Sequence, residues 1–276
     1  MIFILGCPDP EMNRIEEILK EHGCSVQYAM KDGKRCHPGN AYQADNIYVF
    51  FGLQEDPIDI VGMSIVLVEC QPAGVADFVR VDHHRPGDPG YGQPASQYWL
   101  ASSLGQIYTL LGIHEIPHED KILAAMDHSP AGAIRGECPG VSAQEVLDRK
   151  VAEVARGTKS SPEEVMERIG HYRAMLESAP KIEMAGQVLK DLRSEYLGEG
   201  YSLSLLAAQA AALAGGHTAL LRHRDAMGKP EKWSVSGHAT PETVNAFMMW
   251  GPKNGLVKES MYGVPERGYA GGYLSR

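Results

Sequence analysis

The residues with the most chemistry to offer sit at the ends of apolar runs. Val81-Asp82-His83-His84 closes one such run with a carboxylate and two imidazoles. Upstream, the run from Ile65 ends in Glu69, and downstream a helical pattern from Leu123 ends in Asp127. Near the start, Pro8-Asp9-Pro10-Glu11 puts two carboxylates one residue apart just after the first apolar run. Carboxylate oxygens suit hard divalent cations such as Mn²⁺ or Mg²⁺, and imidazole shifts the preference toward Mn²⁺ or another transition metal. Two such ions about 3.5–4 Å apart, bridged by one carboxylate, can hold a hydroxide in line with a phosphorus atom. The chemistry expected is therefore hydrolysis of a phosphoester or phosphoanhydride. Taken singly, each residue also has a structural reading. Asp82 could cap a turn, His84 could bond within its loop, and Asp88 in Pro86-Gly87-Asp88-Pro89 is strong turn chemistry.

These residues need strand ends to hold them. Strands are expected at Met1–Gly6, 26–30, 47–51, 65–69 and 78–82, with a helix from about Met12 to Glu21 ended by His22 and Gly23. A long helix is expected from Ser96 to Leu111, with Leu100, Leu104, Ile107 and Leu111 forming one apolar stripe. Apolar strands alternating with amphipathic helices indicate an α/β fold with a mostly parallel sheet. In such sheets, polar residues at carboxyl ends of strands face the ligand crevice. Asp9, Glu69 and Asp82 all fall there. Ser142 with Glu145, and Ser161 with Glu164, have the spacing that opens helices. Ser178-Ala179-Pro180 interrupts the helical pattern, so the boundary is expected between 177 and 187. That gives an N-terminal domain over residues 1–180, helical linker included, and a smaller α+β domain over 186–276. The second contains an alanine-rich helix at 203–214, β-like runs at 218–222 and 232–236, a helix near 241–249 and a glycine-rich tail.

The composition removes several function classes. A chain of 276 residues with a net charge of −9 is poorly suited to duplex nucleic acid, whose binding rests on neutralising phosphates with Lys and Arg. Five cysteines without a C-x-x-C pair argue against a disulfide framework or a zinc knuckle, which points to the cytoplasm. Apolar runs are too short for a membrane span, and the opening MIFILGCPDPE reads as a strand and not as a signal peptide.

Over roughly residues 1–140, the order and spacing of these motifs resemble the DHH phosphoesterase superfamily. Its members include manganese-dependent pyrophosphatases, exopolyphosphatases, oligoribonucleases, cyclic-dinucleotide phosphodiesterases and single-strand exonucleases. The Asp82–His84 triplet is intact, Asp127 matches the fourth acidic motif, and Glu69 stands where the second motif has Asp. The first motif, His-x-x-x-Asp-x-Asp, is matched at its acidic end only, with Leu5 at the histidine position and Glu11 at the second Asp. The resemblance implies one metal on Asp9 and Glu69, and another on Glu11, Glu69, His83 and Asp127, with Glu69 bridging. His128 or Cys7 could replace the missing histidine. Asp82 and His84 would orient the reacting groups, making them the expected catalytic pair. The C-terminal tail is similar to the Gly-Gly-Gly-His loop of DHH-associated domains, though it lacks the histidine. It implies that Arg267, Gly268 and Gly271 grip substrate phosphate, and His238 and Arg222 are further substrate-binding candidates. The expected activity is a metal-dependent phosphohydrolase using Mn²⁺ or Mg²⁺, by metal-bound hydroxide attack on a nucleotide or short single-stranded oligonucleotide. The alternatives are an inactive relative that binds a phosphorylated ligand, or a pyrophosphatase or polyphosphatase. The alanine-rich helix would serve a homodimer or an interdomain contact equally well.

Overall fold

Four consecutive apolar residues open the chain, and all four are buried, which is what a strand covered on both faces requires. The computed structural model describes residues 1–37, 39–48, 64–75, 78–200, 202–265 and 268–275. The chain divides into two compact units, one of Met1–Pro130 with Cys138–Val141, the other of Ala131–Glu137 with Ser142–Arg276.

The N-terminal unit runs β1 (Ile2–Leu5), α1 (Pro10–Glu21), β2 (Ser25–Lys31), β3 (Lys34–Arg35), β4 (Asn46–Tyr48), β5 (Ile65–Val68), β6 (Phe78–Val81), α2 (Tyr98–Ala101), α3 (Ser103–Leu111) and α4 (His118–His128). Its sheet has the order β3-β2-β1-β5-β6, with β4 also on β2. The pairs β2–β1, β1–β5 and β5–β6 are parallel, and β3 and β4 join antiparallel. The strand expected at 47–51 is thus β4 as far as Tyr48, and its remainder lies outside the described residues. Ile2, Ile4, Ile65 and Leu67 face one way, over Ala29, Ala41, Ala44 and Cys70. The parallel register brings the carboxyl ends of β1, β5 and β6 side by side, so Asp9, Glu69 and Asp82 emerge at one edge.

The long helix expected from Ser96 to Leu111 is instead broken. A short 3-10 turn at Ala95–Gln97 leads into α2, and Ser102 (φ −62°, ψ 150°) leaves helical geometry before α3 begins. Its hydroxyl accepts from Gly105 N at 3.1 Å and so starts a new helix. The break rotates the faces: Leu104 and Ile107 are buried, while Leu100 is 67% exposed. The apolar spacing was compatible with continuity, and the serine cap overrode it.

The C-terminal unit takes up the chain within α5 (Pro130–Ile134) and continues with α6 (Ala143–Thr158), α7 (Pro162–Ser178), β7 (Lys181–Met184), β8 (Gln187–Glu199), α8 (Leu203–Ala214), β9 (Thr218–Arg224), β10 (Glu231–Gly237), α9 (Pro241–Lys253), β11 (Tyr262–Val264) and β12 (Tyr269–Tyr273). Both expected capping boxes form, at Ser142 with Glu145 and at Ser161 with Glu164. The sheet order is β11-β12-β10-β9-β8-β7, antiparallel except for β8–β9, which α8 connects. Val151, Val154, Val165 and Ile169 of α6 and α7 share a core with Leu205, Ala208 and Ala211 of α8. The division of the chain therefore precedes α6, and the boundary expected at 177–187 is displaced by the two helices that the second unit needs to cover its sheet. On the opposite face, Leu220 and Val235 meet Val244 and Phe247 of α9. The glycine-rich tail is the strand β12. A Cβ on Gly271 would lie 2.4 Å from the Tyr262 hydroxyl, so the glycine there makes room for a cross-strand aromatic. All five cysteines are free thiols. No helix among the described residues is long and apolar enough to cross a membrane.

Candidate metal centre

Asp9 closes the turn after β1 and caps α1, its Oδ1 accepting from Met12 N at 2.7 Å. Two residues later, the Glu11 side chain is buried and its Oε1 accepts from Leu104 N at 3.1 Å. The break at Ser102 thus has a second effect. It creates a helix N-terminus whose N–H groups meet a buried carboxylate, where the helix dipole favours negative charge. Glu69 follows β5 with φ +50°, a left-handed conformation rare for a residue with a side chain. His83 follows β6, and Asp127 lies in the last turn of α4.

These elements bring four side chains to one point. His83 Nε2 lies 2.9 Å from Asp127 Oδ2, 3.4 Å from Glu69 Oε1 and 3.9 Å from Glu11 Oε2. One ligand atom from each of Glu11, Glu69, His83 and Asp127 falls within 4.8 Å of all the others. Glu69, His83 and His84 form an overlapping group. Glu11 Oε2 and Glu69 Oε1 are buried acceptors with no hydrogen-bond donor aligned on them. Converging buried carboxylates repel unless a positive charge lies between them. Burial first, then Asp127 and Glu69, hold the Glu11 carboxyl well above the usual range. Burial with Glu69 and Asp127 pushes Asp9 up to about 7. Burial alone would lower His83, but Asp127 and Glu69 outweigh it and raise the imidazole to about 10. A proton on His83 Nε2 is the least charge that satisfies this cluster. Three carboxylate oxygens and one imidazole nitrogen also form a donor set suited to a divalent cation, and the nitrogen favours Mn²⁺ over Mg²⁺.

The second layer of contacts orients the histidines. His128 Nε2 is 3.0 Å from the Gln93 carbonyl, which can only accept, so that nitrogen carries the proton. Its Nδ1 is then the acceptor for His83 Nδ1, 3.1 Å away. In neutral His83 this leaves the Nε2 lone pair aimed at the carboxylates, the tautomer a metal ligand requires. Asp82 is completely buried and turned to a different task. Its oxygens accept from the Tyr42 hydroxyl at 2.9 and 3.0 Å, from His83 N at 2.8 Å and from His84 N at 3.1 Å. His84 Nδ1 lies 3.0 Å from Asp82 Oδ1. Burial would raise Asp82, yet the His84 hydrogen bond and charge win and hold it below the usual range. The Gln106 amide clasps the Asp82 backbone through both its groups, at 3.1 and 3.2 Å.

The structure thus gathers Glu11, Glu69, His83 and Asp127 as the sequence motifs suggested, with His84 adjoining. Asp9 is electrostatically coupled to them but belongs to neither ligand group among the described residues, and no second full ligand set forms around Asp9 and Glu69. Asp82 anchors the loop and both histidines instead of joining either group. Leu5, at the position where a histidine was sought, is core. Cys7 has its thiol raised to about 11 by burial and by Asp9, which disfavours a thiolate ligand. His128 supports His83 and does not take the missing place. Tyr42 and Gln106 went unnoticed in the sequence, since neither stands in a motif. No signal marks Tyr42, which reaches Asp82 from a 3-10 turn at Ala41–Gln43.

The substrate-binding candidates belong to the C-terminal unit. Arg222 and Arg224 share one face of β9 and both pair with Glu231, at 2.6 and 3.1 Å. His238 is engaged at both nitrogens, Nε2 with Leu213 O at 2.7 Å and Nδ1 with Arg135 Nη1 at 2.7 Å. Gly268 has φ +67° and packs against the Ala239 carbonyl, and Gly271 lies within β12. Arg267 lies outside the described residues. One cleft of this unit, about 460 Å³, opens on the other face of β9. His223, between the two arginines, lines it with Lys232, Ser234, Tyr262 and Tyr269. Burial and then Lys232 depress His223 to about 4, so its imidazole is neutral at pH 7. Neither Arg222 nor His238 lines that cleft, but Arg222 lines a separate, more open hollow of about 400 Å³ with Asp191, Arg193 and Trp233. The chain matches no family model, no curated protein and no solved structure.

Proposed function

We propose that this chain is a divalent-metal-dependent phosphohydrolase of the DHH phosphoesterase kind, acting on a phosphoester of nucleotide or short-oligonucleotide type. The convergence of Glu11, Glu69 and Asp127 on the Nε2 of His83, with buried acceptors left without donors, carries this reading. Glu11, Glu69, His83 and Asp127 would hold the ion. When bound, a divalent ion supplies charge to phosphoryl oxygens and a water acidic enough to react near neutral pH. The residues contribute the rest. His128 keeps the His83 lone pair directed inward, and the α3 N-terminus steadies Glu11. Asp82 holds His84 by Nδ1, which leaves Nε2 to meet a substrate or leaving-group oxygen. The nucleotide preference draws on the resemblance of the C-terminal tail to DHH-associated domains.

The test is Mn²⁺ content and hydrolysis of a chromogenic phosphodiester, in the wild type and in Asp127→Ala. The expected result is at least one ion per wild-type chain and measurable turnover, with both lost in the variant. Metal retention without turnover on dinucleotides, cyclic dinucleotides or pyrophosphate would favour a ligand-binding relative. Failure of the wild type to retain metal would refute the metal centre.

A further inference from the structure

We propose that Arg85, laid on the ring of Tyr42, is an oxyanion-binding group beside the metal ligands and takes a non-bridging oxygen of a phosphoryl group. The inference rests on the phosphohydrolase reading and extends it to residues not yet given a role. Arg85 follows His84 directly, in a loop pinned from both sides. Its N–H donates to Asp88 Oδ2 at 2.7 Å, its carbonyl accepts from Asp88 N at 3.0 Å, and Gly90 N donates to Asp82 O at 3.0 Å. The guanidinium carbon lies 3.6 Å from the Tyr42 ring centroid, close enough for stacking with a cation–π contribution. Tyr42 in turn donates its hydroxyl to Asp82, the residue that positions His84, and its ring lies 6.4 Å from the His84 ring. The guanidinium is therefore held one aromatic ring away from His84.

Its partners are what set it apart. The other arginines whose side chains lie within the N-terminal unit's structure each have a carboxylate partner: Arg14 has Asp120 and Glu17, Arg80 has Asp88, and Arg35 has Glu16, although Arg35 also keeps Nε and Nη2 as buried donors without acceptors. Among the described residues, no carboxylate lies within ion-pair distance of the Arg85 guanidinium, whose charge reaches Asp88 only at longer range, and its Nε is a buried donor without an acceptor. Asp88, the nearest acid in sequence, spends its oxygens on the Arg85 backbone N–H and on Arg80. A half-buried guanidinium with an unused donor, held flat by stacking, is pre-organised for the two parallel hydrogen bonds that a phosphoryl group accepts. A carboxylate in the substrate could satisfy the same donors, so the probes below separate the two.

Inorganic phosphate and acetate are titrated by calorimetry into Mn²⁺-loaded and metal-free protein, with Mn²⁺ affinity measured separately. The expectation is that Arg85→Gln leaves Mn²⁺ affinity within about twofold but weakens phosphate at least about tenfold, the scale of a lost charge-assisted hydrogen bond. Arg85→Lys should recover only part of that loss, because lysine keeps the charge and not the fork. Tyr42→Phe keeps the stacking ring and should lose less phosphate affinity than Tyr42→Leu, which should lose several-fold. Acetate should bind more weakly than phosphate and be less sensitive to Arg85. Unchanged phosphate affinity in a folded, Mn²⁺-binding Arg85→Gln protein would overturn the proposal and leave the metal centre standing. If the wild type binds no Mn²⁺, the phosphohydrolase reading fails. The metal-free titrations of wild type and Arg85→Gln then still decide whether Arg85 binds an oxyanion.

Discussion

Two buried histidines, one in each unit, have been driven in opposite directions by their surroundings. His83 is ringed by Glu11, Glu69 and Asp127 and raised to about 10; His223 is buried beside Lys232 and depressed to about 4. Both are nearly inaccessible, so burial alone does not distinguish them. The difference lies in the sign of the nearby charge, which turns one site into a demand for a cation and the other into a neutral hydrogen-bonding surface. A site that needs positive charge is under stress without it. A neutral site makes no such demand for charge.

The largest effect expected from this contrast is at Glu11. Glu11→Gln removes a ligand charge while Oε1 can still accept from Leu104 N. Mn²⁺ affinity should fall by more than about 100-fold, beyond the range typical of outer-shell changes, when measured by calorimetry. The metal-free protein should become more stable to urea, because a repelled buried carboxylate has become neutral. A loss of metal-free stability would show that the cluster is not strained by its charge.

Next in size is His128→Leu, which takes away the acceptor that fixes the His83 tautomer. Mn²⁺ binding should weaken about 10–100-fold with little change in fold, read by calorimetry and circular dichroism. Wild-type affinity in this variant would mean that His83 is oriented by its carboxylates alone.

The smallest effect is a pair of opposed pH slopes. His223 has a folded pKa below its unfolded value, so its contribution is lost as pH falls from about 6.5 toward 4, at about 1 kcal/mol per pH unit. Asp9 has a folded pKa above its unfolded value, so its contribution is present below about 3.8 and lost as pH rises through about 7. Trp233 and Trp250 lie in the C-terminal unit, and Trp99→Phe leaves them as the only tryptophans. Urea unfolding followed by their fluorescence should lose stability on acidification, and His223→Leu should flatten that limb. Followed instead by Trp99 of the N-terminal unit, with Trp233 and Trp250 replaced by Phe, stability should decline as pH rises from about 3.8 to 7. Mn²⁺ should abolish that decline, because the ion displaces the proton Asp9 and its neighbours would otherwise retain.

Part of this was legible before any coordinates. Asp82–His84, Glu69 and Asp127 terminate elements with clear apolar periodicity, so their placement at one sheet edge follows from a parallel arrangement of β1, β5 and β6. Glu11 stands just before the helix expected from about Met12, and it proves to be that helix's second residue, behind the Asp9 cap. The break at Ser102 was not legible, because Leu100, Leu104 and Ile107 keep helical spacing straight through it. Yet that break supplies the backbone N–H that meets Glu11. Strand β8 was missed because residues 187–199 alternate weakly and carry five charged side chains. The arginines on β9 drew attention by their charge, while His223, pointing to the other face, lines the cleft. Long-range partners such as Tyr42 to Asp82 have no local signature at all.

The close approach of two strand ends carries a further consequence. A Cβ on Gly6 would lie 2.4 Å from the Glu69 carbonyl oxygen, and Glu69 itself sits at φ +50°. The backbone that carries this carboxylate is wedged against β1 and already in a sparsely allowed conformation, so it has little freedom to retreat. A cage whose wall cannot retreat discriminates by ionic radius. If the cluster holds an ion as proposed, it should accept those that take oxygen at about 2.0–2.2 Å more readily than Ca²⁺, which needs about 2.3–2.6 Å and more ligands.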